Sequence, residues 1–200
     1  MPHHDFFVTE KRLEKLSNVL KKRQFDFTIV LENIHDPHNL SAILRSCDAV
    51  GVFEVYLIYE RRPDIPRLGE KSSASAKKWI HKRLFHSVSA CYSELRKQGK
   101  KIFTTHLSAE AKSIYEIDMT QKIAIVFGNE HSGVSEEALA NADGNVLIPQ
   151  VGMIQSLNIS VACAVTLYEA FRQRSKAGLY NQSQIDDSAF HKIMKEWTKR

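Results

Sequence analysis

Short apolar runs alternate with helix-forming stretches along this chain, and few folds satisfy that alternation. Residues 27–31, 53–59, 101–105, 123–127 and 146–148 read as strands. Runs such as 27–31 and 123–127 have no polar face, so both sides must be covered. Between them lie helices at 9–24, 39–50, 87–98, 135–141 and 158–176. The first has Thr9 as its cap and Leu13, Leu16 and Leu20 at helical spacing, while Gly51 and Gly99 stop the second and third. Residues 79–85 suit a further short strand, and 185–199 a basic, aromatic-bearing helix after a linker at 178–183. The segment 60–75 contains Pro63 and Pro66 and reads as a long surface loop. The expectation is an α/β fold, a parallel sheet flanked by helices, with helical extensions at both ends.

The stretch 147–170 is the sharpest local signal. An apolar run ends at Pro149, a Gly-containing loop follows, and Ser156-Leu157-Asn158 opens a long helix capped by Ser156 or Asn158. Ser160, Ala162, Cys163, Ala164 and Thr166 are small, so this helix can approach a sheet or a second subunit closely. A strand, a loop and a helix N-terminus in sequence suit a nucleotide-like ligand.

Lys and Arg exceed Asp and Glu to give a net charge of +5, which favours a polyanionic partner. The expected contacts lie at the ends of the chain: Arg12 and Lys21-Lys22-Arg23 in the first helix, and Arg172, Arg174, Lys192, Lys195 and Lys199 towards the C-terminus. Phe190 and Trp197 suit packing better than base stacking. Cys47, Cys91 and Cys163 form no CxxC pair and sit in apolar contexts, so buried free thiols are expected, and no metal site. No signal-peptide pattern or apolar run of membrane length occurs, so a soluble cytoplasmic chain without a membrane partner is expected.

Three segments put polar residues where loops should leave buried strands, the ligand crevice of open α/β sheets: 33–45, 128–133 and 148–158. Asn39 suits equally a helix cap or a site group. Arg45 has apolar flanks and needs an anionic partner, for which phosphate is apt. In 128–133, two glycines bracket Asn-Glu-His-Ser and permit close approach of a ligand or an ordinary turn. There is no GxGxxG or Walker loop.

Taken together, Asn39-Leu-Ser-Ala-Ile-Leu-Arg45, Phe127-Gly-Asn-Glu-His-Ser-Gly133 and Ile148-Pro-Gln-Val-Gly-Met-Ile-Gln-Ser-Leu-Asn-Ile-Ser-Val-Ala162 resemble the three motifs of the SPOUT methyltransferases. More narrowly they are similar to its SpoU/TrmH branch, the RNA ribose 2′-O-methyltransferases. The resemblance spans about residues 9–180. It implies a SPOUT fold with a deep C-terminal trefoil knot, a homodimer, and S-adenosylmethionine held by positions matching Thr105 (beside His106), Gly128, Ile148, Met153 and Leu157. It implies a domain layout of a helical extension at 1–25, the methyltransferase domain at 26–176 and a basic helix at 177–200. Its catalytic positions match Arg45, Asn39, Glu130, Ser156 and Asn158, with Arg45 acting as base or as a cation beside the forming alkoxide. The Asp36-Pro-His-Asn39 loop and the 168–174 segment imply as substrate the D-loop guanosine at position 18 of tRNA. The alternatives are another tRNA or ribosomal RNA nucleotide, a non-catalytic RNA-binding protein, or a small-molecule-binding α/β protein.

Overall fold

The computed structural model describes residues 8–59, 76–108 and 110–200. The expected loop at 60–75 and His3-His4 lie outside the described residues. In chain order the elements are α1 (Glu10–Lys21), β1 (Gln24–Glu32), α2 (Pro37–Ala49), β2 (Val52–Ile58), α3 (Ala76–Trp79), β3 (His81–Phe85), α4 (Val88–Lys97), β4 (Lys101–Thr105), β5 (Lys112–Ser113), a 3-10 turn (Ile114–Glu116), β6 (Ile123–Phe127), α5 (Glu136–Ala140), β7 (Gly144–Leu147), α6 (Ile159–Lys176) and α7 (Asp187–Trp197). The strands form one parallel sheet in the order β3-β2-β1-β6-β4-β7-β5. Two-residue β5 was not legible in the sequence, because it is too short to carry a period.

Alternation along the central strands builds two cores. Phe27, Ile29 and Leu31 of β1, with Ile123, Ile125 and Phe127 of β6, face α2 and α6. Val30, Ala124 and Val126 face α4 and α5 on the other side. This is the covering of both faces that purely apolar strands require. The small residues of α6 serve the helix pair: Cys163 and Thr166 are buried, and α6 packs along α2. Cys47 of α2 and Cys163 of α6 sit in the same buried core, and burial pushes the Cys163 thiol well above its ordinary pKa. All three cysteines are buried and free.

Caps differ from expectation at one point that matters below. The side chain of Asp36, not Asn39, accepts from the backbone N–H of His38 and caps α2, with Pro37 in the first turn. That leaves the Asn39 amide free to reach across the sheet. Thr9 caps α1 as expected, and Asn158 rather than Ser156 caps α6.

The terminal helices pack together. Leu16, Leu20 and Trp197 form a separate small core with Phe25, Phe53, Trp79 and Phe190 against it, so Trp197 is a packing residue. Two arginines expected to meet RNA are internal instead. Arg23 is fully buried, pairs with Asp48, donates to the carbonyl of Val52 (3.0 Å) and lies 5.5 Å from the Trp197 ring centre. Arg174 is also fully buried and donates to Asp26 (2.6 Å), Gln24 (2.9 Å) and the carbonyls of Met119 and Gln121. Partners replace most of the water such a guanidinium loses, with Arg23 Nε left without one, and burial puts both residues out of reach of a phosphate. Arg12, Lys21, Lys22, Lys192, Lys195 and Lys199 remain exposed, and Arg172 is exposed but doubly bonded to Glu169.

Candidate active site

Four parallel strands, β1, β6, β4 and β7, lie side by side and end at the same edge of the sheet. The loops that leave them, at 33–36, 128–135, 106–108 and 148–158, are therefore neighbours, although 33 and 158 lie far apart in the chain. Between the last three opens a cleft of about 380 Å³, within the range of small-molecule sites. Its walls are apolar at Ile114, Phe127, Val146 and Ile148, and polar at Asn129, Glu130, Gln155, Ser156 and Asn158.

The 128–133 loop closes on itself. The N–H of Gly133 donates to the carbonyl of Asn129 (2.8 Å), and a Cβ on Gly128 would lie 2.1 Å from the Gly133 carbonyl carbon and the Val134 nitrogen. Such a contact is impossible, so only glycine fits. Thr105 donates its hydroxyl to the carbonyl of Val126 (2.9 Å), which pins the end of β4 to β6. Asn145 donates to the carbonyl of His106 (2.7 Å) and to Ser108 Oγ (3.0 Å), steadying the next loop.

A directed chain of hydrogen bonds joins the three polar segments. Asn158 Oδ1 accepts from the backbone N–H (2.9 Å) and the hydroxyl (2.6 Å) of Ser160. Asn158 Nδ2 donates to Asn39 Oδ1 (3.1 Å), and Asn39 Nδ2 donates to Glu130 Oε1 (2.9 Å). Each amide thus has a fixed orientation, and the Glu130 carboxylate ends the chain at the cleft wall. Its charge reaches Tyr59, whose buried hydroxyl donates to the carbonyl of Ile34 (2.5 Å). Burial first, then the Glu130 charge, raises the Tyr59 pKa.

Of the positions singled out from the sequence, Asn39, Glu130 and Asn158 meet in this chain. Ser156 lines the cleft but makes no hydrogen bond among the described residues. Thr105, Gly128, Ile148 and Leu157 also line the cleft, whereas Met153 is fully exposed outside it. Arg45 lies elsewhere, exposed on α2 in a shallow depression with Ala42, Ser46, Ala49 and Tyr168, and without a hydrogen bond or ion pair among the described residues. Asn33, Asn129 and Asn145 escaped the sequence reading as loop-holding residues. Their only signal was Asn at loop positions, which is common to most turns. Among the described residues no group of three or more His, Cys, Asp or Glu could hold a metal ion.

A family model described as the SpoU rRNA Methylase family matches residues 26–168, which contain the whole of the cleft and the hydrogen-bond chain. The chain belongs to the SpoU rRNA Methylase family. Within this family, the tRNA (guanosine(18)-2'-O)-methyltransferase of Thermus thermophilus is 45% identical over 192 residues, covering 96% of this chain and 98% of that one. The protein of the same name from Escherichia coli (strain K12) is 41% identical, covering 84% and 73%. A SpoU structure, the Aquifex aeolicus TrmH/SpoU tRNA modifying enzyme, superposes with a TM-score of 0.88 at 38% identity, covering 94% of this chain and 95% of that one. The segments 33–45, 128–133 and 148–162 all fall within the residues that the family model matches.

Proposed function

We infer that this chain methylates the ribose 2′-hydroxyl of guanosine 18 in the D-loop of tRNA, with S-adenosylmethionine as donor. The observation that carries the reading is the Asn158–Asn39–Glu130 chain, which ties three segments distant in sequence to one cleft wall. Relatives at 45% and 41% identity with that activity in their names support it.

The cleft suits the donor. Its apolar walls match an adenine ring, and the closed Gly128 turn leaves backbone groups where a side chain would block them. Thr105, Gly128, Ile148 and Leu157 are assigned to holding it, and Met153 to covering it from the adjacent loop. Bound there, S-adenosylmethionine supplies an activated methyl group. The protein's task is then mostly to hold the ribose in line, which is worth about 7–11 kcal/mol for well-aligned reactants. Glu130, Asn158 and Ser156 stand on the polar wall that orients the ribose, and Asn39 links the first two from behind it. Arg45, exposed and without a partner among the described residues, is assigned to the 2′-hydroxyl, as base or as a cation beside the forming alkoxide, aided by an RNA phosphate.

The same reading includes a homodimer. Val151, Met153 and Ile154 of the loop and Val161 and Tyr168 of α6 are exposed apolar side chains that a second copy could cover. It also includes the trefoil knot, the division at residues 25 and 176, and a cytoplasmic location, where tRNA is found. No helix among the described residues is long and apolar enough to cross a membrane. The exposed lysines of α1 and α7 are assigned to the RNA backbone.

The test is transfer of labelled methyl to an unmodified tRNA transcript, with the product mapped by nuclease digestion. Label in 2′-O-methylguanosine of the D-loop is the expected result. Label only in ribosomal RNA fragments would keep the chemistry and overturn the substrate. No label in any RNA would overturn the reading.

A further inference from the structure

We propose that Glu32, Asn33 and Asn129 are positioning residues for this reaction: they clamp the 128–133 turn onto the end of β1 and so set where the Glu130 carboxylate stands. The proposal rests on the methyltransferase reading above.

The clamp has two bonds, one on either side of Glu130. Upstream of it, Asn129 Nδ2 donates to the carbonyl of Asn33 (2.7 Å). The Asn129 amide is used twice, because its Oδ1 accepts from the N–H groups of His131 (2.9 Å) and Ser132 (3.3 Å) and shapes the turn from inside. Downstream, Glu32 Oε2 accepts from the N–H of Ser135 (3.0 Å), the residue that caps α5. Glu32 is almost wholly buried, an unusual place for a carboxylate, and one that needs a structural return.

Asn33 shows that the arrangement is specified. It is the only non-glycine residue with positive φ among the described residues, at 54°. Asn tolerates this conformation better than most side chains. It turns the Asn33 carbonyl towards Asn129 while the Asn33 N–H still completes the sheet with Ile58 (2.9 Å). Strain of this kind persists where neighbouring contacts enforce it.

The consequence is a division of labour. Asn39 holds one oxygen of Glu130, and the clamp holds the backbone from which Glu130 projects. Neither Glu32 nor Asn33 lines the cleft. Their influence on the reaction passes through Glu130.

The test is a double-mutant cycle between Asn129→Ala and Glu130→Gln, read by single-turnover methyl transfer to tRNA with enzyme in excess. Donor affinity by calorimetry and amide hydrogen exchange across 128–135 accompany it. Asn129→Ala should lower the transfer rate 10- to 100-fold and leave tRNA affinity within threefold. It should speed exchange at His131 and Ser132 at least tenfold. In the Glu130→Gln background the same substitution should cost less than threefold. Asn33→Gly, which keeps both the carbonyl and the positive φ, should lose far less than Asn33→Val. Losses that multiply in the double mutant would overturn the positioning role while leaving the methyltransferase reading intact. Unchanged exchange at His131 and Ser132 would overturn the clamp itself. A parent protein that methylates no RNA would overturn the functional reading, and this proposal with it.

Discussion

Replacing Asn39 by Asp tests the hydrogen-bond chain at its centre. The substitution keeps an acceptor for Asn158 but removes the donor to Glu130, and it sets two carboxylates about as far apart as the native 2.9 Å contact. A hydrogen bond to a charged group is worth about 1.5–3 kcal/mol, so the lost donor alone should slow transfer about 10- to 100-fold. The new repulsion adds about 1.4 kcal/mol at the dielectric of water, and more where protein displaces solvent. Two carboxylates so close cannot both stay ionised as readily as separate ones, so on acidification the pair takes up one proton before an isolated carboxylate would. That proton restores an O–H donor between the two groups. Asn39→Asp should therefore fall below Asn39→Ala at pH 8 and gain on it steadily as the pH is lowered. The assay is single-turnover methyl transfer to unmodified tRNA from pH 5 to 8.5, each variant expressed as a ratio to the parent. A ratio that is flat, or that falls on acidification, would refute the donor–acceptor direction assigned to this chain.

Lys100 is buried against the Thr28 hydroxyl (2.6 Å), and burial lowers its pKa from 10.5 to about 8. Between those values the unfolded chain binds more protons than the folded one, so stability from this group rises with pH from about 8 to 10.5; below pH 8 the full penalty stands, on the order of 3 kcal/mol. Lys100→Met should stabilise the protein at pH 7 by at least ~1 kcal/mol in urea unfolding and flatten that rise; an unchanged slope from pH 8 to 10 would count against it. Gly128→Ala forces a Cβ into the Gly133–Val134 backbone and should cost about 3 kcal/mol or more with loss of donor binding by calorimetry, whereas Gly152→Ala, with nothing within 4 Å, should cost almost nothing. Arg45→Lys should lose most of the turnover and keep donor affinity, because Arg45 lies outside the cleft and a lysine ammonium cannot reproduce a guanidinium's paired donors; near-normal turnover would defeat that assignment.

The central strands were legible from residue order alone, because an apolar run as short and as β-branched as 123–127 suits a strand covered on both faces, and that run matches β6 to the residue. The helices 87–98 and 158–176 were legible for a similar reason, since Ser87 and Asn158 are local caps and Gly99 a local stop. The motif residues Asn39, Glu130 and Asn158 could be singled out because polar groups after buried strands have few other uses. What they do to one another was not legible. Asn39 reads as a cap until Asp36 is seen to hold that place, and its partners lie 91 and 119 residues away. The fates of Arg23, Arg174 and Lys100 were hidden for the same reason, as charge and spacing mark a solvent-facing cluster equally well. Sequence determines local propensity and which faces must be buried. Whether a cation meets water, a carboxylate or an RNA depends on which distant strands become neighbours, and only the order β3-β2-β1-β6-β4-β7-β5 decides that.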